Sequence, residues 1–336
     1  MEAVNTKNRI NYISGMKAFM LLIIFLIHAG VRGNQISQRA CDFLFVISGY
    51  LIAYKHLYAS EDIRVFSYIK NKIVKFYPLY FICCIVCAVC FEEFNAFYIS
   101  LKSGFISLGL NLALLQSWTQ NPYTFNSVSW FLSSLLGVYF VAPFALKLFK
   151  KVKSKYGYVL LLAIVWLVRF LLEYFNGKLY YINSNHFPVF SILTSIGGGM
   201  LLFPLSKDIK SNFIINSILE ISLLAIVAWL AYVHVDDVCI SIQILFVWAA
   251  FYIFILNNDV FSRFMELDIW NIFSQIQMEF YLLHQMVLRL ISRTVLGNVL
   301  IIKILVSFAI TYFMAVIYNI FLKKRLEHIM CIILRN

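Results

Sequence analysis

The sequence predicts an all-α polytopic membrane protein that crosses a bilayer about ten times. Its 336 residues are 62% hydrophobic and only 13% charged, and the mean hydropathy is +0.83. A soluble domain is nearer half apolar and a quarter charged, so this chain could not cover its apolar surface in water. A spanning helix needs roughly 20 mostly apolar residues, and the chain is long enough for about ten with short loops. We interpret residues 1–336 as a single membrane-embedded domain.

Hydropathy alone finds eleven apolar runs, one more than the ten crossings that we predict. The runs lie at 13–30, 40–56, 76–91, 97–117, 129–148, 157–175, 187–205, 213–233, 239–257, 271–292 and 299–322. The run at 97–117 is the weakest, because it contains Lys102 and several serine, glycine, asparagine and glutamine residues. Its status has to be decided by the charges around it.

Lysine and arginine in short loops stay on the cytoplasmic side of a membrane. Basic segments occur at 7–9, 55–75, 147–155 and 323–325. The acidic pairs at 92–93 and 236–237 are then expected outside. These assignments agree only if 97–117 does not cross, so we predict that it lies on, or dips into, the outer face and that both termini are cytoplasmic. Arg32 and Arg39, in the first outer loop, run against the rule.

Charge and cysteine content exclude two other classes of protein. The net charge of +12 resides in short loops between apolar runs, so it is explained by topology and does not indicate nucleic-acid binding. The seven cysteines do not form a disulfide framework. Cys83, Cys84, Cys87 and Cys90 share one apolar run without histidine or carboxylate partners, so we expect buried apolar residues and no metal.

Ionisable groups inside a span are costly and are functional candidates by default. The first span holds Lys17 and His28. Eleven residues at about 100° each leave them roughly 20° apart, so they share a face, and the rise places them roughly 16 Å apart along the axis. Lys17 is expected towards the cytoplasm and His28 towards the outside.

Asp42 begins the second span, which a short connection joins to the first. Antiparallel neighbours would bring Asp42 and His28 to a similar depth near the outer face. A carboxylate beside an imidazole fixes its tautomer and makes it a general base for a hydroxyl. A structural polar pair near the headgroups explains the same spacing, and the two readings stay open.

Other ionisable residues have weaker claims to function. Arg169 and Glu173 are four residues apart in the sixth span and are expected to neutralise each other. Glu279 and His284 in the tenth span are expected to line one polar cavity, and His186 is a weak candidate for substrate contact. The basic stretch 70–75 is explained either by topology or by an anionic cofactor such as a pyrophosphate. Small residues at 197–199 favour close helix packing.

Several of these positions together resemble the motifs of one family. They are Lys17 and His28 as Arg/Lys-x10-His; Asp42, Ser48, Gly49 and Tyr50 within 41–51; Lys72 and Lys75 before Tyr77-Pro78; Trp130-Phe-Leu; and Tyr281-Leu-Leu-His284. The chain thereby resembles the acyltransferase-3 family of membrane acyltransferases, of the stand-alone type without a fused extracytoplasmic domain. The resemblance runs from about residue 9 to 290.

The resemblance implies an O-acyltransferase of the bacterial inner membrane. Such an enzyme transfers an acyl group, expected to be acetyl, from cytoplasmic acetyl-CoA to a hydroxyl of a cell-surface polysaccharide or its lipid-linked precursor. It implies His28 and Asp42 as catalytic residues and Lys17, Lys72 and Lys75 as cofactor-binding residues. Further candidates are Ser48, Tyr50, Trp130, Glu279 and His284. The expected partners are the glycan acceptor and membrane lipids, and no nucleic acid is expected.

Two departures from the family pattern affect these expectations. Lysine replaces arginine at both Lys72 and Lys75, which removes the bidentate fork for phosphate. The frequent Glu-Glu after the Trp130 region is replaced by residues 133–136, Ser-Ser-Leu-Leu. The sequence leaves open the acceptor, the acyl group, direct transfer against an acyl-histidine intermediate, and the oligomeric state.

Three other functions compete with acyl transfer. A glycan or lipid transporter would also have about ten spans, but it predicts inverted repeats or spans broken by glycine or proline. A glycan polymerase or ligase typically needs a large outer loop, whereas the longest outer stretch, 92–128, is mostly apolar. A structural scaffold does not account for the placement of Lys17, His28 and Asp42.

Overall fold

The computed structural model describes residues 2–60, 63–176, 189–233 and 237–334, and side chains within them except at 2–10, 34 and 237–239. The described residues are mostly helical and contain no β-strand. The α-helices are α1 (Glu2–Ala29), α2 (Asn34–His56), α3 (Val65–Cys90), α4 (Leu101–Leu112), α5 (Trp130–Phe149), α6 (Lys155–Tyr174), α7 (Val189–Leu205), α8 (Phe213–Tyr232), α9 (Asp237–Ile255), α10 (Val260–Met265), α11 (Asp268–Ser274), α12 (Gln277–Ser292), α13 (Leu300–Ile317) and α14 (Lys323–Ile333).

Seven stretches of the described chain are helical, long and apolar enough to cross a membrane. They are Asn11–Ala29, Gln35–His56, Val65–Cys90, Ser127–Phe149, Lys155–Tyr174, Phe213–Tyr232 and Leu300–Ile333. Two shorter apolar helices are Val189–Leu205 and Ile240–Ile255. All nine fall on predicted spans, so the polytopic all-α class is confirmed, whereas the count of ten stays a prediction.

The remaining predicted span, 271–292, is not one helix. The segment α11 ends at Ser274, and α12 begins at Gln277 after Ile276 leaves helical geometry at φ −116° and ψ 10°. Hydropathy averages over the break and cannot detect it. The polar side chains of Gln275 and Gln277 flank the point where the helix is interrupted.

The predicted non-crossing segment turns back on itself. Helix α4 has 12 residues and is therefore about 18 Å long, too short to cross a bilayer. The N–H of Phe125 donates to the carbonyl of Phe94 at 2.7 Å, and the ring of Phe97 contacts those of Phe105 and Phe125. The segment 91–129 thus returns to the end of the bundle where it began, as expected if 97–117 does not cross.

Three basic segments meet at the opposite end of the bundle, which we call the basic end. Lys150 Nζ donates to the carbonyl of Ala59 at 3.1 Å, Lys155 Nζ to that of Lys207 at 3.0 Å, and Lys70 Nζ to that of Leu334 at 2.5 Å. We call the end that carries the 91–129 segment the far end. That the basic end faces the cytoplasm remains the prediction of the charge rule.

Local sequence explains why several helices begin where they do. Ser100, Ser154, Asn212 and Asp259 precede α4, α6, α8 and α10, and each side-chain oxygen accepts a hydrogen bond from a main-chain N–H in the first turn. Such caps satisfy donors that a helix start leaves unpaired. The positions of these four helices are therefore partly encoded in single polar residues.

Helix α2 lies in the middle of the bundle, where glycines admit α7. A Cβ on Gly199 would lie 2.0 Å from the carbonyl oxygen of Val46, and one on Gly49 would lie 2.1 Å from that of Ile196. No other residue fits at such a distance, so these backbones touch, in agreement with the packing role expected for 197–199. This contact fixes the rotation of α2, which carries Asp42.

Candidate active site

The two candidate histidines form a pair at the far end. Nδ1 of His28, on α1, lies 2.9 Å from Nε2 of His284, on α12, and the two ring planes are 8° apart. His284 is completely buried, whereas His28 is exposed. The sequence marked both residues but did not predict that they touch.

The hydrogen bonds assign the tautomers of this pair. The carbonyl of Tyr281 lies 2.7 Å from Nδ1 of His284, and because a carbonyl can only accept, this nitrogen carries the proton. Nε2 of His284 then holds a lone pair and accepts from Nδ1–H of His28. A neutral His28 is left with a lone pair on Nε2, the arrangement that a general base requires.

Aromatic rings hold His284 in place. The ring of Phe280 lies parallel to the imidazole at 6.3 Å between centroids, and that of Phe25 meets it edge-on at 6.2 Å. Both phenylalanines are fully buried. His284 therefore has little freedom to rotate, and the direction of its hydrogen bond to His28 is fixed.

The predicted pair of His28 and Asp42 does not form. Asp42 is 3.3 Å from Nη2 of Arg39 and 3.9 Å from Nη1 of Arg169, and it accepts a hydrogen bond from Ser195 Oγ at 3.0 Å. No contact joins Asp42 to His28 among the described residues. Antiparallel neighbours do share a depth, but helix rotation is set by packing, and here it turns Asp42 towards α6 and α7.

Asp42 instead belongs to a charged cluster of four side chains, which we call the Arg39 cluster: Arg39, Asp42, Arg169 and Glu173. Arg169 Nε is 2.8 Å from Glu173, so the ion pair predicted within α6 is confirmed. The hydroxyl of Ser191 also donates to Glu173. In the sequence Arg39 stood out only as an arginine in a loop that the charge rule places outside. An arginine in such a position indicates that it pairs with a buried carboxylate.

A cavity of about 170 Å³ lies between the histidine pair and the basic end. Its lining includes Lys17, Ser48, Tyr139, Gln277 and Tyr281, and we call it the lysine cavity. Lys17 has no hydrogen-bond or ion-pair partner among the described residues. Tyr281 borders this cavity and also holds His284 through its carbonyl, so the cavity adjoins the pair.

The candidate lysines of α3 differ in their surroundings. The ammonium of Lys72 is 5.2 Å from the centroid of Tyr139 and 5.3 Å from that of Tyr68. Because Tyr139 also lines the lysine cavity, Lys72 lies next to it. Lys75 lies one turn further along the same helix and is exposed. The structure thus brings Lys17 and Lys72 around one tyrosine and leaves Lys75 at the surface.

The remaining candidates take different places. The hydroxyl of Ser48 donates to the carbonyl of Leu44 and lines the lysine cavity. Tyr50 is buried against the rings of Phe203 and Phe251, which is a packing role. Trp130 lines a small cavity beside the Arg39 cluster.

Glu279 and His284 do not share a cavity, contrary to expectation. Glu279 pairs with Lys323 at 2.7 Å, whereas His284 faces His28. Five residues separate them on α12, so their side chains leave the helix roughly 140° apart. His186 lies outside the described residues. Within the described residues no three histidine, cysteine, aspartate or glutamate side chains are placed to hold a metal.

Comparison with known proteins places the chain in a family. Neither the curated proteins nor the solved structures gave a match. The profile of the acyltransferase-3 family, described as an acyltransferase domain, matches residues 10–322, nearly the whole chain. On the strength of that match, this chain belongs to the acyltransferase-3 family.

Proposed function

We propose that the protein is an O-acyltransferase that moves an acetyl group from acetyl-CoA, bound at the basic end, to a hydroxyl of a cell-surface polysaccharide or its lipid-linked precursor. Family membership indicates an acyltransferase embedded in a membrane. The observation that carries the proposal is the hydrogen-bonded pair of His28 and His284, which leaves a lone pair on an exposed imidazole. We assign the protein to the bacterial inner membrane, with the basic end in the cytoplasm.

In the proposed reaction, Nε2 of His28 takes the proton of the acceptor hydroxyl while the hydroxyl oxygen attacks the thioester carbonyl of acetyl-CoA. The C–S bond then breaks, and the coenzyme A thiolate leaves with the proton from His28. The Nδ1–H of His28 donates to His284 throughout, and this bond strengthens as the imidazolium forms. His284 therefore has the orienting role that the sequence had suggested for Asp42.

The same lone pair also allows a two-step route. Nε2 of His28 attacks the thioester first and carries the acetyl group, and the acceptor hydroxyl then attacks this acyl-histidine. His28 is essential on either route, whereas only the second accumulates labelled protein when the acceptor is absent. The direct route is our primary proposal because the far end leaves His28 exposed to an acceptor.

Lysine side chains supply the proposed donor site. Lys72 and Lys75 attract the phosphates of coenzyme A as point charges, without the fork that arginine would give. Lys17 borders the lysine cavity, which is a route for the pantetheine arm. Eleven residues of helix put Lys17 and His28 roughly 16 Å apart, a distance that an extended arm spans.

The test is transfer of labelled acetyl from acetyl-CoA to surface glycan in membranes that contain the full chain. The variant His28→Ala should abolish transfer while remaining membrane-inserted and bound to acetyl-CoA. Surface glycan from a strain without the gene should lack the acetyl ester that the wild type carries. Undiminished transfer by folded His28→Ala protein would overturn the proposal.

A second candidate function is glycan or lipid transport without chemistry. The interruption between α11 and α12 favours it, because transporters use discontinuous helices around their substrate sites. A transporter neither binds nor consumes acetyl-CoA. Lost glycan export without any change in acetylation would support transport and exclude the proposed enzyme.

A further inference from the structure

A small cavity of about 90 Å³ adjoins the Arg39 cluster and is distinct from the lysine cavity. Its lining includes Gln38, Arg39, Asp42, Tyr123, Trp130 and Glu173. It combines charged groups with aromatic rings, of which those of Tyr123 and Trp130 have centroids 6.2 Å apart. Nothing in the proposed chemistry at His28 uses this cavity.

Arg39 has donors that the protein does not satisfy. The residue is 3% exposed, and its ion-pair contact to Asp42 uses Nη2. Its Nε and Nη1 are buried and have no hydrogen-bond partner among the described residues. Unpaired buried donors are costly, so these N–H groups require an acceptor from water or from a ligand in the cavity.

Charge balance decides the class of ligand. Arg39 and Arg169 carry two positive charges, and Asp42 and Glu173 carry two negative ones, so the cluster is already neutral. An additional anion would be a buried charge without a counter-charge, which is expensive. A sugar hydroxyl is neutral, accepts from the guanidinium and donates to a carboxylate, and therefore satisfies both kinds of group at once.

The aromatic side chains extend the same argument. Ligand sites commonly combine apolar and aromatic walls with a few placed polar groups, and a sugar ring presents both an apolar face and hydroxyl edges. Tyr123 also lines a cavity of about 500 Å³ in the 91–129 segment, together with Ser103, Gln120, Asn121 and Thr124. Tyr123 thus joins the small cavity to a larger groove, whose lining combines these hydroxyl and amide side chains with apolar ones such as Phe94 and Ile99.

We propose that the Arg39 cavity receives the hydroxyl-bearing edge of one neutral sugar ring of the acceptor, with the groove of the 91–129 segment holding the rest of that ring and its neighbours. This assignment rests on the proposed acyl transfer to a glycan. It makes Arg39 and Asp42 acceptor-binding residues. Asp42 then serves substrate recognition and does not orient His28.

The binding test uses Cys41, which lines the cavity. The full-length protein in lipid nanodiscs is treated with methyl methanethiosulfonate, and modification is quantified at each cysteine by peptide mass spectrometry. Glycan oligosaccharides from a strain lacking the gene should slow modification of Cys41 at least fivefold and leave Cys331, on α14, unaffected. Inorganic pyrophosphate should protect neither. Stronger protection of Cys41 by pyrophosphate, or none by the oligosaccharides, would overturn the proposal.

The kinetic test separates acceptor binding from catalysis. Arg39→Met should raise the KM for the oligosaccharides at least tenfold, with kcat within about twofold and the KM for acetyl-CoA unchanged. Arg39→Lys retains the charge beside Asp42, so we expect it to fold like the wild type and to show a smaller rise. The exposed Arg325→Met is the matched control. A fall in kcat at unchanged oligosaccharide KM would overturn the assignment.

The two tests distinguish this inference from the proposed function. Protection of Cys41 without any acetyl transfer would support the sugar site and refute the enzyme. Acetyl transfer with unprotected Cys41 and unchanged oligosaccharide KM in Arg39→Met would support the enzyme and refute the sugar site.

Discussion

The histidine pair and the Arg39 cluster each draw on one arm of the hairpin formed by α1 and α2, but the contacts of His28 and Asp42 differ. Gly30 and Gly33, at φ +115° and +135°, allow the abrupt turn that joins α1 to α2. On α1, the hydrogen bond of His28 to His284 uses Nδ1, and the described residues leave the lone pair of Nε2 unengaged. On α2, Asp42 has both oxygens engaged by Arg39, Arg169 and Ser195.

This difference teaches which group is able to take a proton. A general base needs a lone pair that the protein has not already engaged. Asp42 is a hydrogen-bonded counter-ion, whereas His28 is oriented by one nitrogen and available at the other. In our proposal the Arg39 cluster therefore recognises the acceptor, and His28 takes the proton from the acceptor hydroxyl.

The largest effect is expected at His28. Loss of a general base typically costs 10²–10⁴-fold in rate, so His28→Gln should lower kcat by about that factor. The KM for glycan should change little, because recognition lies at the Arg39 cluster. Steady-state acetyl transfer measures both constants. If His28→Gln and Asp42→Asn lowered kcat by the same factor, the division of roles between the two sites would be contradicted.

The buried ion pair on α6 should dominate stability. Breaking such a pair by removing one partner costs about 3–5 kcal/mol, so Arg169→Met should lower the unfolding free energy by about 3 kcal/mol. Reversible unfolding in mixed micelles measures it, with Arg325→Met expected within about 0.5 kcal/mol of the wild type. A loss as small as that of the control would mean that the cluster contributes nothing to folding.

A smaller effect is expected at His284, which acts through His28. His284→Leu removes the acceptor for Nδ1–H, and a hydrogen bond to a charged group contributes about 1.5–3 kcal/mol, so kcat should fall roughly 10–100-fold. His284→Gln restores an acceptor and should recover part of the rate. An unrecovered loss in the glutamine variant would indicate a packing defect and not a lost hydrogen bond.

The smallest effects are expected at the lysines of α3. Lys72→Ala should raise the KM for acetyl-CoA about tenfold, because Lys72 adjoins the lysine cavity through Tyr139. Lys75→Ala should raise it less than fivefold, since an exposed charge contributes about 0.2–1 kcal/mol. Both increases should shrink at high salt. A larger effect at Lys75 would move the phosphate site to the surface of the basic end.

Much of the architecture was predictable because membrane insertion depends on local composition. Hydropathy identifies the apolar helices. The alternation of basic and acidic loops identifies 97–117 as a segment that does not cross. In the structure the chain around that segment folds back, so that Phe94 and Phe125 form a hydrogen bond. His28, Asp42 and His284 were recognisable as candidates because they are ionisable residues inside apolar runs. The break before Gln277 was not predictable, since neither glycine nor proline signals it.

Which unusual residues meet was not readable from spacing. The sequence by itself determined the membrane class, the candidate residues and the resemblance to the family, because each is a property of a short stretch of chain. Only the tertiary structure decided that His28 contacts His284 and that Asp42 contacts Arg39 and Arg169. The physical reason is that depth follows from position along a helix, whereas rotation follows from packing, here from the backbone contact between Gly199 and Val46.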